Sequence, residues 1–165
     1  MDRLIPTLVL VGVVVLVFAG MWWAWRRKQA AQAARFPAPA RPAEGTAVEG
    51  APVPGMYVAT TLAGQPLERV QAHHLGVRTD AELSVGPAGV ILDRAGTDDL
   101  LIPAAAIESV EARSGMIGKF VEKDGLVVVT WRLGDTLVDT GFRTRSAADR
   151  TPTIESIRHL IGEAS

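Results

Sequence analysis

The sequence predicts an N-terminal transmembrane helix joined to a mainly-β barrel of seven or eight strands that a C-terminal α-helix closes. Three observations predict it. Residues Ile5 to Trp25 carry no charge. From Met56 onward, apolar and polar residues alternate in short runs broken by Gly, Pro and Asp, the signature of half-buried strands. The last stretch switches period: Ile154, Ile157, Leu160 and Ile161 recur at helical spacing.

The uncharged run comes first. It is long enough to span about 31 Å as a helix, the hydrocarbon thickness of a bilayer. Val and Ile are modest helix formers in water, but in lipid a helix satisfies its own backbone groups and an open strand does not. Trp22, Trp23 and Trp25 gather at its C-terminal end, where amphipathic rings favour the headgroup layer, and Arg26, Arg27 and Lys28 follow at once. A cleaved signal peptide has a shorter apolar core and a small-residue cleavage site; this run ends in bulky indoles and three cations. It reads as an uncleaved anchor over residues 4–25, with residues 5–25 in contact with the bilayer. The cations lie C-terminal to it, so the N-terminus is expected outside and the rest in the cytoplasm, at the inner (plasma) membrane.

Residues 26–55 read as a basic stop followed by a linker. Arg27 to Ala34 continues the helix for about two turns, since Ala and Gln favour it. From Phe36 to Gly55, prolines 37, 39, 42, 52 and 54 stand among Ala and Gly with almost nothing large and apolar. That composition predicts a disordered, partly extended tether.

Residues 56–165 make the folded domain. Met56–Leu62 is the first strand and Leu75–Thr79 a short second one. Glu82–Val85 and Gly89–Asp93 flank the turn Gly86-Pro87-Ala88. Asp99–Pro103 and Ile107–Met116 follow. Asp124-Gly125 marks a hairpin leading into Leu126–Leu133, the most apolar strand and the expected centre of the sheet. Gly134-Asp135 is a second tight turn before Leu137–Arg143. Thr151 is placed to cap the closing helix with Pro152 at its first position, and Gly162 to end it.

This order of elements resembles actinobacterial single-span membrane proteins with a cytoplasmic pleckstrin-homology-like (PH-like) domain. The hydrophobic start ending WRRK, the GPAGVILDR hairpin, LLIPAAAIESVEA, DGLVVVTWRLGDTLVDTGFR and the closing IESIRHLIG carry the resemblance. It implies a PH-like fold. Proteins of that kind bear membrane, export or transporter labels, and their genes often lie among pyrimidine-biosynthesis genes. Since one span builds no translocation path by itself, a transport role would be that of an accessory subunit.

Composition limits the chemistry. There is no cysteine, which removes disulfides, thiolate metal sites and cysteine nucleophiles. The net charge is −1, so no basic field draws the chain to nucleic acid. His73-His74, adjacent on an extended chain, point to opposite faces and meet no standard ligand spacing; no metal or cofactor is expected. Gly115-Met116-Ile117-Gly118-Lys119 fails the phosphate-loop template, because two residues separate the glycines and Phe120 follows the lysine. Its Met116, Ile117, Lys119 and Phe120 form instead a candidate partner-binding loop. Arg113, Lys119, Lys123, Arg143 and Arg145 make a basic pocket only if their strands converge. Asp93-Arg94 and Asp98-Asp99 read as solvated turn charges. No nucleophile and base stand together, so no enzyme is expected; a hydrolase would need a serine within reach of His73 or His159. The reading is a membrane-anchored interaction or scaffold module with a membrane-proximal protein partner. A lipid or small-ligand binding domain is the rival.

Overall fold

The structure, a computed structural model, describes residues 4–114 and 125–163, without the side chains of residues 4–8, 25 and 28–35. The chain divides into two units, Met1–Arg35 and Phe36–Ser165.

The first unit is helix α1, Leu4–Arg35. It continues past the tryptophans through the basic residues, as the run of Ala and Gln predicts. From Val9 to Ala24 every residue is exposed. Among the described residues no helix is long and apolar enough to cross a membrane.

Among its described residues the second unit is an antiparallel sheet of eight strands with a C-terminal helix. The strands are β1 Glu49–Leu62, β2 Gln65–Arg69, β3 Thr79–Gly86, β4 Gly89–Arg94, β5 Leu100–Pro103, β6 Ile107–Arg113, β7 Leu126–Leu133 and β8 Thr136–Thr144; α2 is Arg150–Glu163. The sheet runs β5-β4-β3-β1-β8-β7-β6, with β2 paired to β1 beside this path. β1 sits in the middle and works twice. Its first half pairs with β3 (Val53 opposite Leu83) and its second half with β8 (Thr60 opposite Thr140). Bulges in both pairings bend the strand as it passes between partners.

The alternation read from the sequence places the core. Val127, Val129, Trp131 and Leu133 of β7 meet Val138 and Phe142 of β8, Tyr57 of β1, and Leu83, Val90 and Leu92 of β3 and β4. β7 lies between β6 and β8, one strand from the end of the sheet, and is not its centre. Its unbroken apolar run has another cause. Leu126 and Val128, which alternation sends to the other face, are also buried, against Val58. On α2, Ile154, Ile157 and Leu160 are buried, and each such side chain contributes about 1.5–3 kcal/mol. The helix begins at Arg150, one residue before the expected cap, after a turn in which the Ser146 hydroxyl accepts from the Ala148 N–H.

The expected disordered tether from Phe36 to Gly55 is corrected. Phe36 is only 4% exposed and belongs to the core. Ala40 bridges Leu101 at the outer edge of β5, and β1 starts at Glu49, not Met56. Pro37 packs so close to Gly134 that a Cβ there would lie 2.9 Å from its ring, and Gly134 also has φ +60°, where an L side chain is strained. The prolines do not prevent this order. Pro52 lies in β1 where the register with β3 shifts between Glu49 and Val53, and Pro54 sits in register with Glu82; one aromatic side chain supplies the burial that the average composition lacks.

Two further expectations change. Leu75–Thr79 is not a strand. Ala72–His74 is a single 3-10 turn, and both histidines have positive φ, 54° and 57°. β2, fully exposed along its length, has no apolar alternation to betray it. The proposed loop of Met116, Ile117, Lys119 and Phe120 lies outside the described residues.

Candidate functional site

α2 packs on β6, β7 and β3, strands that lie on both sides of β1 in the sheet. Phe36 from the entry segment and Val70, Ala72 and Leu75 from the β2–β3 connection join the core elsewhere. The polar side chains concentrate near this second group.

Their centre is Arg94, the last residue of β4. Val90, Leu92 and Arg94 share a face by period two, so the face that buries the two aliphatics carries the guanidinium in with them. It is 2% exposed; the solvated turn charge read from the sequence is corrected. No carboxylate pairs with it among the described residues. Its Nε and Nη2 donate to the Asp98 carbonyl at 3.0 and 2.7 Å, and Nη1 to the His74 carbonyl at 3.3 Å. The guanidinium lies 4.9 Å from the centre of the Tyr57 ring, a cation–π contact strengthened by dryness.

Tyr57 heads a buried hydroxyl chain. Its hydroxyl donates to the Leu75 carbonyl at 2.8 Å and meets Thr60 Oγ1 at 2.7 Å. Thr60 Oγ1 meets Thr140 Oγ1 at 2.7 Å, and the Trp131 indole N–H donates to Thr140 at 2.8 Å. Burial pushes the Tyr57 phenol up to about 12, against the opposing pull of Thr60 and Arg94. These groups are satisfied and closed to solvent, so they hold strands together and offer no chemistry.

Outside this chain lies an open cavity of about 620 Å³ lined by His74, Arg78, Thr79, Thr97 and Asp98 among others. Its described lining carries one arginine and one aspartate. Arg78 is exposed, and Arg94 gives its hydrogen bonds to carbonyls of two lining residues. Asp98, the one carboxylate among the described lining residues, is taken by Arg41 at 2.6 Å. Thr97 Oγ1 is buried with no hydrogen-bond partner among the described residues. Two other cavities are richer in carboxylates. One includes Asp80, Glu82 and Asp93, with Arg145 the only cation among the described residues that line it. The other includes Glu49, Glu155, Glu163, Ser156 and His159.

The sequence-predicted residues are placed as follows. Arg26 stacks over Trp22 at 4.3 Å and Arg27 over Trp23 at 5.6 Å; the side chains of Trp25 and Lys28 lie outside the description. Of the five cations proposed to converge, Lys119 and Lys123 lie outside the described residues. Arg113 is committed elsewhere: it donates to Asp139 at 2.6 Å and pairs with Glu111. Burial pulls its basicity down, but those two carboxylates outweigh it and hold it above the ordinary range. Asp139 is 3% exposed and also accepts from Thr130 and the Gly64 N–H, so this pair ties β6, β7, β8 and the β1–β2 turn. Arg145 faces the acidic cavity. His73 Nε2 meets the Phe36 carbonyl at 2.9 Å, and His159 meets Glu163 at 3.5 Å. No serine hydrogen-bonds to either histidine among the described residues.

A search of curated proteins finds no match. A family model described as Bacterial PH domain-like matches residues 35–158. The match begins beside Phe36, at the point where the core begins, and takes in all eight strands and most of α2. The chain therefore belongs to the bacterial PH-like family.

Proposed function

We propose that this protein is a membrane-anchored interaction module and not an enzyme. Residues 5–25 of α1 seat in the bilayer of the inner membrane. Trp22, Trp23 and Trp25 lie in the headgroup layer, and Arg26, Arg27 and Lys28 hold the following residues on the cytoplasmic side. The PH-like domain is thereby concentrated where a membrane-proximal protein meets it. The observation that carries this reading is the joining of a PH-like domain to an uncharged run of 21 residues, Ile5 to Trp25. The placement is tested by single cysteines, for which the cysteine-free chain is a ready background. Asp2→Cys should react with an impermeant maleimide in intact cells and Ala148→Cys only after permeabilisation; the reverse pattern sinks the assigned orientation. Capture from native membranes, comparing the full chain with residues 1–35 alone, tests the partner: proteins enriched only by the full chain support the module.

A second reading is favoured by the cavity at His74, Arg78 and Thr97. An exposed arginine, a buried cation with no carboxylate partner among the described residues and a hydroxyl with no hydrogen-bond partner among them suit a small oxyanion, either a free phosphate or the headgroup of an anionic lipid. Calorimetric titration of the full chain with inorganic phosphate, before and after Arg78→Ala, decides it. No heat in either protein removes this reading.

A further inference from the structure

Phe36–Arg41, the segment that leads into the domain, reaches the rim of this cavity through two links. Arg41 Nη2 meets Asp98 Oδ2 at 2.6 Å. The His73 imidazole meets the Phe36 carbonyl at 2.9 Å; since a carbonyl only accepts, Nε2 carries the proton. Asp98 lines the cavity, and so does His74, the neighbour of His73. Two anchors fix the register of the segment: Phe36 is buried in the core, and the Leu101 N–H donates to the Ala40 carbonyl at 2.9 Å.

The two links have different consequences. His73 and His74 are both held at positive φ, a conformation rare for non-glycine residues. The Phe36 carbonyl restrains the first, and the buried Arg94, through the His74 carbonyl, restrains the second. Seating the segment thus sets the turn that lines the cavity. Arg41 acts through charge. While it sits on Asp98, that carboxylate is compensated. Without it, an uncompensated carboxylate stands beside any bound anion.

We infer that Phe36–Arg41 is a strap whose seating and the filling of the cavity by a phosphate-like oxyanion favour one another. The inference rests on the oxyanion reading of the cavity. Linkage makes the effect reciprocal: whatever factor the seated strap adds to anion affinity, the anion adds to the seating of the strap. A partly solvated charge a few ångströms from the ligand is worth roughly three- to tenfold in affinity. The Arg41–Asp98 pair is exposed on both sides, so its loss leaves the fold intact.

The test uses the full chain in phosphatidylcholine nanodiscs, titrated with inorganic phosphate. Arg41→Ala should weaken binding roughly three- to tenfold, and adding Asp98→Asn to it should restore the wild-type value. Exchange of the Leu101 amide proton, which reports the strap directly, should slow on phosphate saturation and be unaffected by phosphate in Arg78→Ala. Nanodiscs with phosphatidic acid and no free phosphate separate the sources: protection of Leu101 there assigns the anion to a headgroup, and protection only by free phosphate assigns it to a solute. If no form binds phosphate and neither disc alters Leu101, the cavity reading and the strap both fail. If Arg78→Ala abolishes binding while Arg41→Ala leaves affinity and Leu101 exchange unchanged, the cavity stands and the strap is overturned. Weakening by Arg41→Ala that Asp98→Asn does not restore also overturns it, because Arg41 then touches the anion itself.

Discussion

Tyr57 shows how a single buried side chain sets a pH limit. Its neutral form is favoured in the folded state, where burial holds the phenol at about 12, against about 10 in an unfolded chain. The unfolded state therefore releases its proton first. Stability from this group is complete below pH 10 and is lost as pH rises through the window from 10 to about 12. The loss is on the order of 2–3 kcal/mol. Urea denaturation at pH 8, about 10 and about 11.5 should show that decline, and Tyr57→Phe should flatten this component of the slope. Arg94 makes a different prediction. Its three hydrogen bonds go to main-chain carbonyls, so Arg94→Ala takes the donor from two carbonyls and opens a void under Tyr57. The expected cost is about 2–4 kcal/mol by urea denaturation. Arg94→Lys should not rescue it, since one ammonium does not reproduce the guanidinium fork. A variant as stable as the parent would show that desolvating the cation cancels its bonds. The burial of Arg94 corrects its reading as a solvated turn charge: parity along β4, which puts it on the face of Val90 and Leu92, was the signal that its charge masked. Its bonding was not legible, because its acceptors are main-chain carbonyls, one four residues on at Asp98 and one twenty residues back at His74, and no side-chain pattern marks a carbonyl.

At the scale of elements, the helix and the hairpins were readable because their causes are local. Ile154, Ile157 and Leu160 announce α2 by spacing, and all three are buried. Ile157→Ala should cost about 2–4 kcal/mol, seen as a drop in the urea midpoint at constant m. Gly134-Asp135 marks the β7–β8 turn, and the reason Gly134 resists substitution is visible only in three dimensions. Its φ of +60° comes with the ring of Pro37 against it. Gly134→Ala should therefore destabilise by roughly 1–2 kcal/mol, and Gly134→Ala combined with Pro37→Ala should recover part of that loss in thermal denaturation. The segment from Phe36 to Gly55 was not legible as structure. Mean composition reports how much a stretch buries on average, whereas order here comes from one phenylalanine, one backbone bridge and half of a strand. β2 and the His73-His74 turn were hidden for the related reason that neither has an apolar rhythm.

The whole molecule is two units, Met1–Arg35 and Phe36–Ser165, and the boundary has a measurable consequence. A protein of residues 36–165 should fold with a single cooperative thermal transition, whereas residues 56–165, which lack Phe36 and the start of β1, should not. Circular dichroism of the two decides whether the core begins at Phe36. The sequence by itself determined the class of fold, the closing helix and the uncharged N-terminal run, because each rests on periodicity or composition over neighbouring residues. The tertiary structure alone decided what fills the core beyond the strands, where Arg94 sends its hydrogen bonds, and which of the scattered charges meet. Those depend on contacts such as Arg41 with Asp98 and Phe36 with His73. Residues far apart in the chain make them, and no local pattern encodes which distant partner closes a loop.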